Sequence, residues 1–170
     1  MTVETEEDLD GLKAIGAIVR DVLSAMQAAA EPGMTAAELD QYGQSLLVLN
    51  GATSAPQKAY GFPGATCISI NDVVAHGVPG DYRLRKGDLI NIDVSAEKNG
   101  YWADTGRSFT IGPASSSIAK LLHATRRCQK DAMSKAYAGQ CLNNLARHIE
   151  GHAKAHGYNQ IAELNGHGLG

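Results

Sequence analysis

Residues 89–111 constrain the fold more than any other part of the chain, because they combine a strand pattern with a turn dipeptide. Polar and apolar residues alternate from residue 89 to residue 96, which is the period of a half-buried β-strand. Asn99-Gly100 follows, and this dipeptide is the strongest short-range signal for a two-residue hairpin turn. The sequence therefore predicts an antiparallel hairpin whose second strand covers residues 101–111.

The turn also fixes which residues of the two strands face each other. With Asn99-Gly100 at the tip, Lys98 pairs with Tyr101, and Asp93 and Asp104 project from one face as diagonal neighbours. Two such carboxylates repel each other unless a proton or a cation lies between them, and hard divalent cations prefer oxygen ligands. From the spacing alone, a solvated polar face and a metal site are both open.

Helical patterns precede the hairpin. Capping boxes at residues 5–8 and 35–38 predict two helices, the first of which ends before Pro32-Gly33. Gly16 and Gly43 lie within these helical patterns, and we expect both to be points of close packing rather than functional sites.

A shorter apolar segment lies between these helices and the hairpin. Residues 65–70 read as a strand, and Asn71-Asp72 is expected to turn the chain into a returning strand at residues 73–76. This segment therefore predicts two more strands beside the hairpin.

The order of elements restarts after Gly112-Pro113. Helical patterns cover residues 117–137 and 142–156, and residues 161–170 read as the start of a new strand and loop. This order indicates an internal duplication. The interpretation is a single domain at 6–170, with a first half at 6–112 and a partial second half at 113–170.

Composition excludes several classes of protein. Fifteen Lys and Arg against 18 Asp and Glu give a net charge of −3, which argues against a sequence-independent nucleic-acid binder. No apolar run approaches the roughly 18–20 residues that cross a bilayer, and the acidic N-terminus is unlike a secretory signal. Three scattered cysteines, without a C-x-x-C pair, indicate reduced thiols. We therefore expect a cytoplasmic protein without membrane or specific nucleic-acid partners.

Several histidines have both an ordinary and a functional interpretation. His76 precedes a glycine and His167 lies between two glycines, so each is either a loop or structural histidine or a ligand arm. His148, His152 and His156 share one helix face, but no H-E-x-x-H pattern accompanies them, and the pattern favours an ordinary helix surface.

Taken together, these segments resemble the type I methionine aminopeptidases, and the resemblance runs from about residue 6 to the last residue. It implies the α+β pita-bread fold, in which a curved antiparallel sheet is flanked by helices and cradles a dinuclear metal site. It is carried by residues 67–79, 86–94 and 99–109, by Pro32-Gly33-Met34-Thr35 and by Gly166-His167-Gly168-Leu169-Gly170.

The resemblance also implies the roles of the metal ligands. Asp93 would bind one metal, Asp104 would bridge both, and His167 would bind the other. The family uses two divalent ions, and Co, Mn, Fe and Zn are all compatible with such ligands. The further His and two Glu ligands of the family lie beyond residue 170, so the 170-residue chain by itself is expected to be inactive.

The substrate residues follow from the same resemblance. His76 matches a catalytic histidine that hydrogen-bonds the substrate near the scissile peptide, and Phe62 and Cys67 fall at positions of the methionine pocket. The chain departs from the family at Ala59, where a Tyr is usual, and at Asn165, where a Cys is common.

The implied function is metal-dependent removal of the initiator methionine from nascent proteins and peptides. The expected partners are peptide N-termini that begin with Met, with transient ribosome association, and the complete protein is expected to be a monomer. Two alternatives are a prolidase or Xaa-Pro aminopeptidase of the same fold, and a non-catalytic pita-bread binding module.

Overall fold

The computed structural model describes residues 3–164 and 166–168. Asn165, one of the departures from the family pattern, and the last two residues of the Gly166–Gly170 motif lie outside the described residues. The described residues form two compact units, the first with residues 3–114 and 168 and the second with residues 115–164, 166 and 167. Within the described part, no helix combines the length and apolar composition that crossing a bilayer requires.

The first two helices begin where the capping boxes predict. Helix α1 (Glu6–Ala29) begins after Thr5, and helix α2 (Ala36–Leu49) begins after Thr35. In both, the threonine side chain accepts the N–H of the residue three positions later, whose carboxylate accepts the threonine N–H in return. Each cap lies within four residues of sequence, so local sequence is enough to predict it.

The sheet contains four antiparallel strands arranged around β3. They are β1 (Thr53–Ser54), β2 (Cys67–Ile70), β3 (Leu89–Lys98) and β4 (Tyr101–Thr110). Strands β3 and β4 form the predicted hairpin, and Lys98 pairs with Tyr101 as expected. Asn99 and Gly100 both have positive φ, at 55° and 86°, as a type I′ turn requires.

One face of the sheet packs against α1, and the opposite face is polar. The alternation along β3 is confirmed, because its inward side chains are fully buried while those between them are partly exposed. The inward side chains of β3 are Ile90, Ile92, Val94 and Ala96. Together with α1 and α2 they form one continuous apolar core, which holds the polar face in a fixed position.

The expected strand at residues 73–76 is wrong. This segment has no strand structure, and Val73 and Val74 are 50% and 62% exposed. Neither valine has a core to enter, so the segment forms no ladder with β2. The chain returns to β2 just after the segment, where Ile68 N–H donates to the Gly77 carbonyl at 2.9 Å. The preceding turn at Asn71 does form, with φ of 54°.

Two short elements were missed, the strand β1 and helix α3 (Ala55–Tyr60). Six residues are too few to show helical periodicity. The Ser54 side chain caps α3, and Gly61, with φ of 64°, ends it in the left-handed conformation.

The second unit contains α4 (Ser116–Met133) and α5 (Leu142–Ala155). Both helices were predicted. The described residues between 161 and 168 contain no strand, contrary to expectation.

The expectation for the helical glycines is right at one position and wrong at the other. A Cβ at Gly43 would lie 2.5 Å from the Met26 sulfur, so this residue is a close-packing point between α1 and α2. A Cβ at Gly16 would have no described neighbour within 4 Å.

Candidate metal and substrate site

The candidate site lies on the polar face of the sheet, where three strands bring acidic and thiol groups together. Asp93 is at the middle of β3, directly opposite Cys67 on β2 and Gly106 on β4. Asp104 lies opposite Ser95, one diagonal step from Asp93, so the predicted register is confirmed. Because side chains alternate along a strand, both aspartates and Cys67 project from the same face.

The charges of both carboxylates act on the Cys67 thiol. Burial is the largest cause that raises the pKa of the Cys67 thiol to about 11, and the negative charges of Asp93 and Asp104 are the next two causes. Asp40 contributes a smaller effect. Cys67 therefore stays a neutral, polarisable thiol at neutral pH, and it lies within the field of both aspartates.

The space beside Asp93 suits a hard cation. A Cβ at Gly106 would lie 3.7 Å from Asp93 Oδ1, so the glycine leaves room where any other residue would place a side chain next to the carboxylate. Two carboxylates on one face supply the oxygen donors that divalent cations prefer. Among residues 3–164 and 166–168, no three His, Cys, Asp or Glu side chains form a group that could hold a metal ion.

An ion pair that sequence reasoning missed lies farther along the same face. Lys58 Nζ on α3 is 2.5 Å from Glu97 Oε2, and Gly100 N–H donates to Glu97 Oε1 at 2.6 Å. The Lys58 contact, followed by the Gly100 hydrogen bond, holds the pKa of Glu97 below its ordinary value. The same ammonium lies 5.7 Å from the ring centre of Trp102. Nothing local in the sequence indicates this contact, because 39 positions separate Lys58 from Glu97.

His76 is fixed at the edge of β2 by the glycine that follows it. A Cβ at Gly77 would lie 2.3 Å from the Ile68 carbonyl oxygen, so only glycine fits at this contact. Gly77 N–H also donates to Ser69 Oγ at 3.1 Å. His76 itself is exposed and has φ of 51°, an uncommon conformation for a residue with a side chain.

Phe62 follows Gly61, the residue that ends α3, and is half-buried. Its N–H donates to the Pro56 carbonyl at 3.2 Å, which holds it against the end of the helix. A Cβ at Gly64 would lie 2.7 Å from Cδ of Pro79, so the loop of Phe62 packs against the loop that follows His76. The structure therefore holds Phe62 and His76 on neighbouring loops beside β2, the strand of Cys67. Ala59 lies one turn earlier on α3 and is exposed.

His167 belongs to the second unit, where its side chain is exposed. Its role as a metal ligand stays a prediction.

Comparisons with known proteins agree on one family. Residues 10–170 match metallopeptidase family M24. The chain is 43% identical to "Methionine aminopeptidase 2" of Bacillus subtilis, over all of this chain and 69% of that protein. It also superposes on the crystal structure of methionine aminopeptidase from Rickettsia prowazekii with a TM-score of 0.95 and 28% identity, covering 99% of this chain and 68% of that one.

A solved structure of different specificity has the same fold. The prolidase from Pyrococcus furiosus superposes with a TM-score of 0.82 over 92% of this chain and 45% of that one, at 23% identity. The α+β pita-bread fold expected from the sequence is therefore confirmed.

Proposed function

The chain belongs to metallopeptidase family M24, and we propose that it removes the N-terminal methionine from nascent proteins and peptides. The observation that carries this proposal is the convergence of Asp93 and Asp104 around Cys67 on one face of the sheet. The identity of 43% to a methionine aminopeptidase supports methionine as the residue removed.

A metallopeptidase depends on a divalent metal, and we propose that two ions act here. Asp93 would bind one ion, Asp104 would bridge both, and His167 would complete the ligands from this chain. Carboxylate and imidazole donors fit Co, Mn, Fe and Zn alike. When bound, such ions lower the pKa of a water and polarise the scissile carbonyl.

Residues on β2 and on the loops beside it would bind and orient the peptide. His76 is proposed to hydrogen-bond the substrate near the scissile bond, held in place by its Gly77 contact with β2. Phe62 and Cys67 are proposed to line the methionine pocket. A neutral thiol suits the thioether of methionine, because both are polarisable and neither carries charge.

A metal titration tests the carboxylate pair in the 170-residue chain. Trp102 is the only tryptophan and lies on the same face as Asp104. We expect Co²⁺ to quench its fluorescence, and Asp93→Asn and Asp104→Asn to weaken that binding by at least about tenfold. Asp10→Asn, at an exposed position of α1, is the matched control and should bind as the unaltered chain does. Equal binding by all four proteins would contradict the proposed site.

Substrate choice tests the activity in protein expressed from the complete reading frame that contains this sequence. We expect metal-dependent release of methionine from Met-Ala-Ser and little cleavage of an Ala-Pro substrate, with loss of release in Asp104→Asn. Faster cleavage of the Ala-Pro substrate would instead indicate a prolidase or Xaa-Pro aminopeptidase. Protein that binds no metal and cleaves neither substrate would indicate a non-catalytic binding module.

We further propose that the enzyme acts as a monomer in the cytoplasm, on chains whose N-termini emerge from the ribosome. A transient association with the ribosome would bring it to that substrate.

A further inference from the structure

A carboxylate of α2 is buried directly behind the start of β2. Asp40 is 7% exposed, and both of its oxygens accept hydrogen bonds. Oδ2 accepts Ala65 N–H at 3.0 Å, and Oδ1 accepts both the N–H and the hydroxyl of Thr66 at 2.7 Å. Three donors converge on one buried carboxyl group, so this contact is a firm anchor between α2 and a loop 25 positions away.

The same loop is also held from its other side. Ser54 Oγ donates to the Ala65 carbonyl at 2.7 Å, and Ser54 is buried. Both polar groups of the Ala65 backbone are thus bound to side chains, and Ala65 and Thr66 are fully buried. The chain enters β2 through these two residues in one fixed position.

That entry point decides where Cys67 lies. Cys67 is the first residue of β2, a strand of only four residues that pairs in a ladder with β3. On its other edge, Ile68 N–H donates to the Gly77 carbonyl. A strand this short has few ladder bonds to hold its end in register, so the anchor before it fixes how Cys67 faces Asp93.

We propose that Asp40 is a positioning residue for the methionine pocket. It acts through Ala65 and Thr66 to hold Cys67 against the substrate side chain, without touching the substrate. This role rests on the function proposed above. It concerns binding of the methionine side chain and leaves the metal carboxylates unchanged.

Asp40→Asn tests this role in protein from the complete reading frame. An amide has one acceptor oxygen and would turn its NH₂ group toward a backbone donor, so the anchor is lost at nearly constant volume. We expect KM for Met-Ala-Ser to rise by about tenfold while kcat changes by less than about threefold. Co²⁺ quenching of Trp102 should be unchanged, and amide exchange at Thr66 should be faster.

Two further variants complete the test. Thr66→Val removes only the hydroxyl donor and leaves both backbone hydrogen bonds to Asp40 in place, so it tests the same anchor if Asp40→Asn fails to fold. It should raise KM by a smaller factor than Asp40→Asn. Asp10→Asn is the exposed control and should leave both kinetic constants unchanged.

The outcomes separate this proposal from the proposed function. If KM is unchanged in Asp40→Asn although exchange at Thr66 is faster, the anchor does not affect methionine binding and the role of Asp40 is overturned. If Asp40→Asn instead weakens Co²⁺ binding and lowers only kcat, Asp40 acts on the metal site and the role is likewise overturned. Failure of the unaltered protein to release methionine would overturn the proposed function, and this role with it.

Discussion

Asp88 is a buried carboxylate that joins the end of β2 to the start of β3. It accepts hydrogen bonds from Asn71 Nδ2 at 2.9 Å, from Tyr82 Oη at 3.1 Å and from Arg85 N–H at 2.8 Å. Asn71 Oδ1 in turn accepts Leu89 N–H at 3.0 Å, and this contact supports the left-handed turn at Asn71. Burial acts to raise the pKa of Asp88, but these hydrogen bonds outweigh it and the pKa is lowered.

Asp88 is therefore expected to make stability depend on pH. A lowered pKa in the folded state means that the unfolded chain takes up the proton first as the pH falls. The contribution is fully present above a pH of about 4 and is lost below it. Asp88→Asn should lower the free energy of unfolding at pH 7 by about 1–3 kcal/mol and flatten its acid dependence.

Urea unfolding followed by Trp102 fluorescence between pH 7 and pH 3 measures this effect. Asp81→Asn, at an exposed position in the same loop, is the matched control. An acid dependence as steep in Asp88→Asn as in the unaltered chain would contradict the assignment.

At the scale of elements, α1 is held against the hairpin by a close contact with one aromatic ring. A Cβ at Gly11 would lie between 2.3 and 2.7 Å from three ring atoms of Tyr101. The Tyr101 hydroxyl also donates to Asp8 Oδ1 at 3.2 Å. Tyr101 is the first residue of β4, so this contact sets how the start of the hairpin's second strand lies on the helix.

Two alanine substitutions in α1 are expected to have opposite effects. Gly11→Ala should destabilise the protein by about 1–3 kcal/mol, because Tyr101 must shift. Gly16→Ala should stabilise it by about 0.5–1 kcal/mol, because glycine is a poor helix former and no described atom lies within 4 Å of the new Cβ. Thermal unfolding of the two variants measures the effect of the same substitution at two positions of one helix. A fall in stability for both variants would contradict the open space found beside Gly16.

At the scale of the whole molecule, the two units differ in how much they bury. Every residue of the described core cluster lies between Ile15 and Ile111, inside the first unit. In the second unit, α4 buries only Ala124, Cys128 and Ala132, and α5 buries no residue. Helices gain most of their stability from packing an apolar face, so the second unit has much less to hold it folded.

Amide hydrogen exchange on the full chain should show this difference. We expect amides of β3 and of the buried face of α1 to exchange only on global unfolding, and those of α5 to exchange orders of magnitude faster. Equal protection of α5 and β3 would show that the second unit is as stable as the first.

The sequence by itself determined the features whose causes lie close together along the chain. Each capping box joins residues three positions apart, and the dipeptide at the hairpin tip fixes the register that puts Asp93 and Asp104 on one face. Alternation along β3 then selected the buried face, because a one-residue slip would expose it.

The tertiary structure decided the features whose causes lie far apart. Helix α3 is bound to the sheet by Lys58 and Glu97, 39 positions apart, and the entry to β2 is held by Asp40 across 25 positions. Residues 73–76 have the composition of a strand but pack against no core, so they remain irregular. Contacts of this kind depend on which distant groups the folded core brings together. The sequence around each partner carries no pattern that predicts the contact.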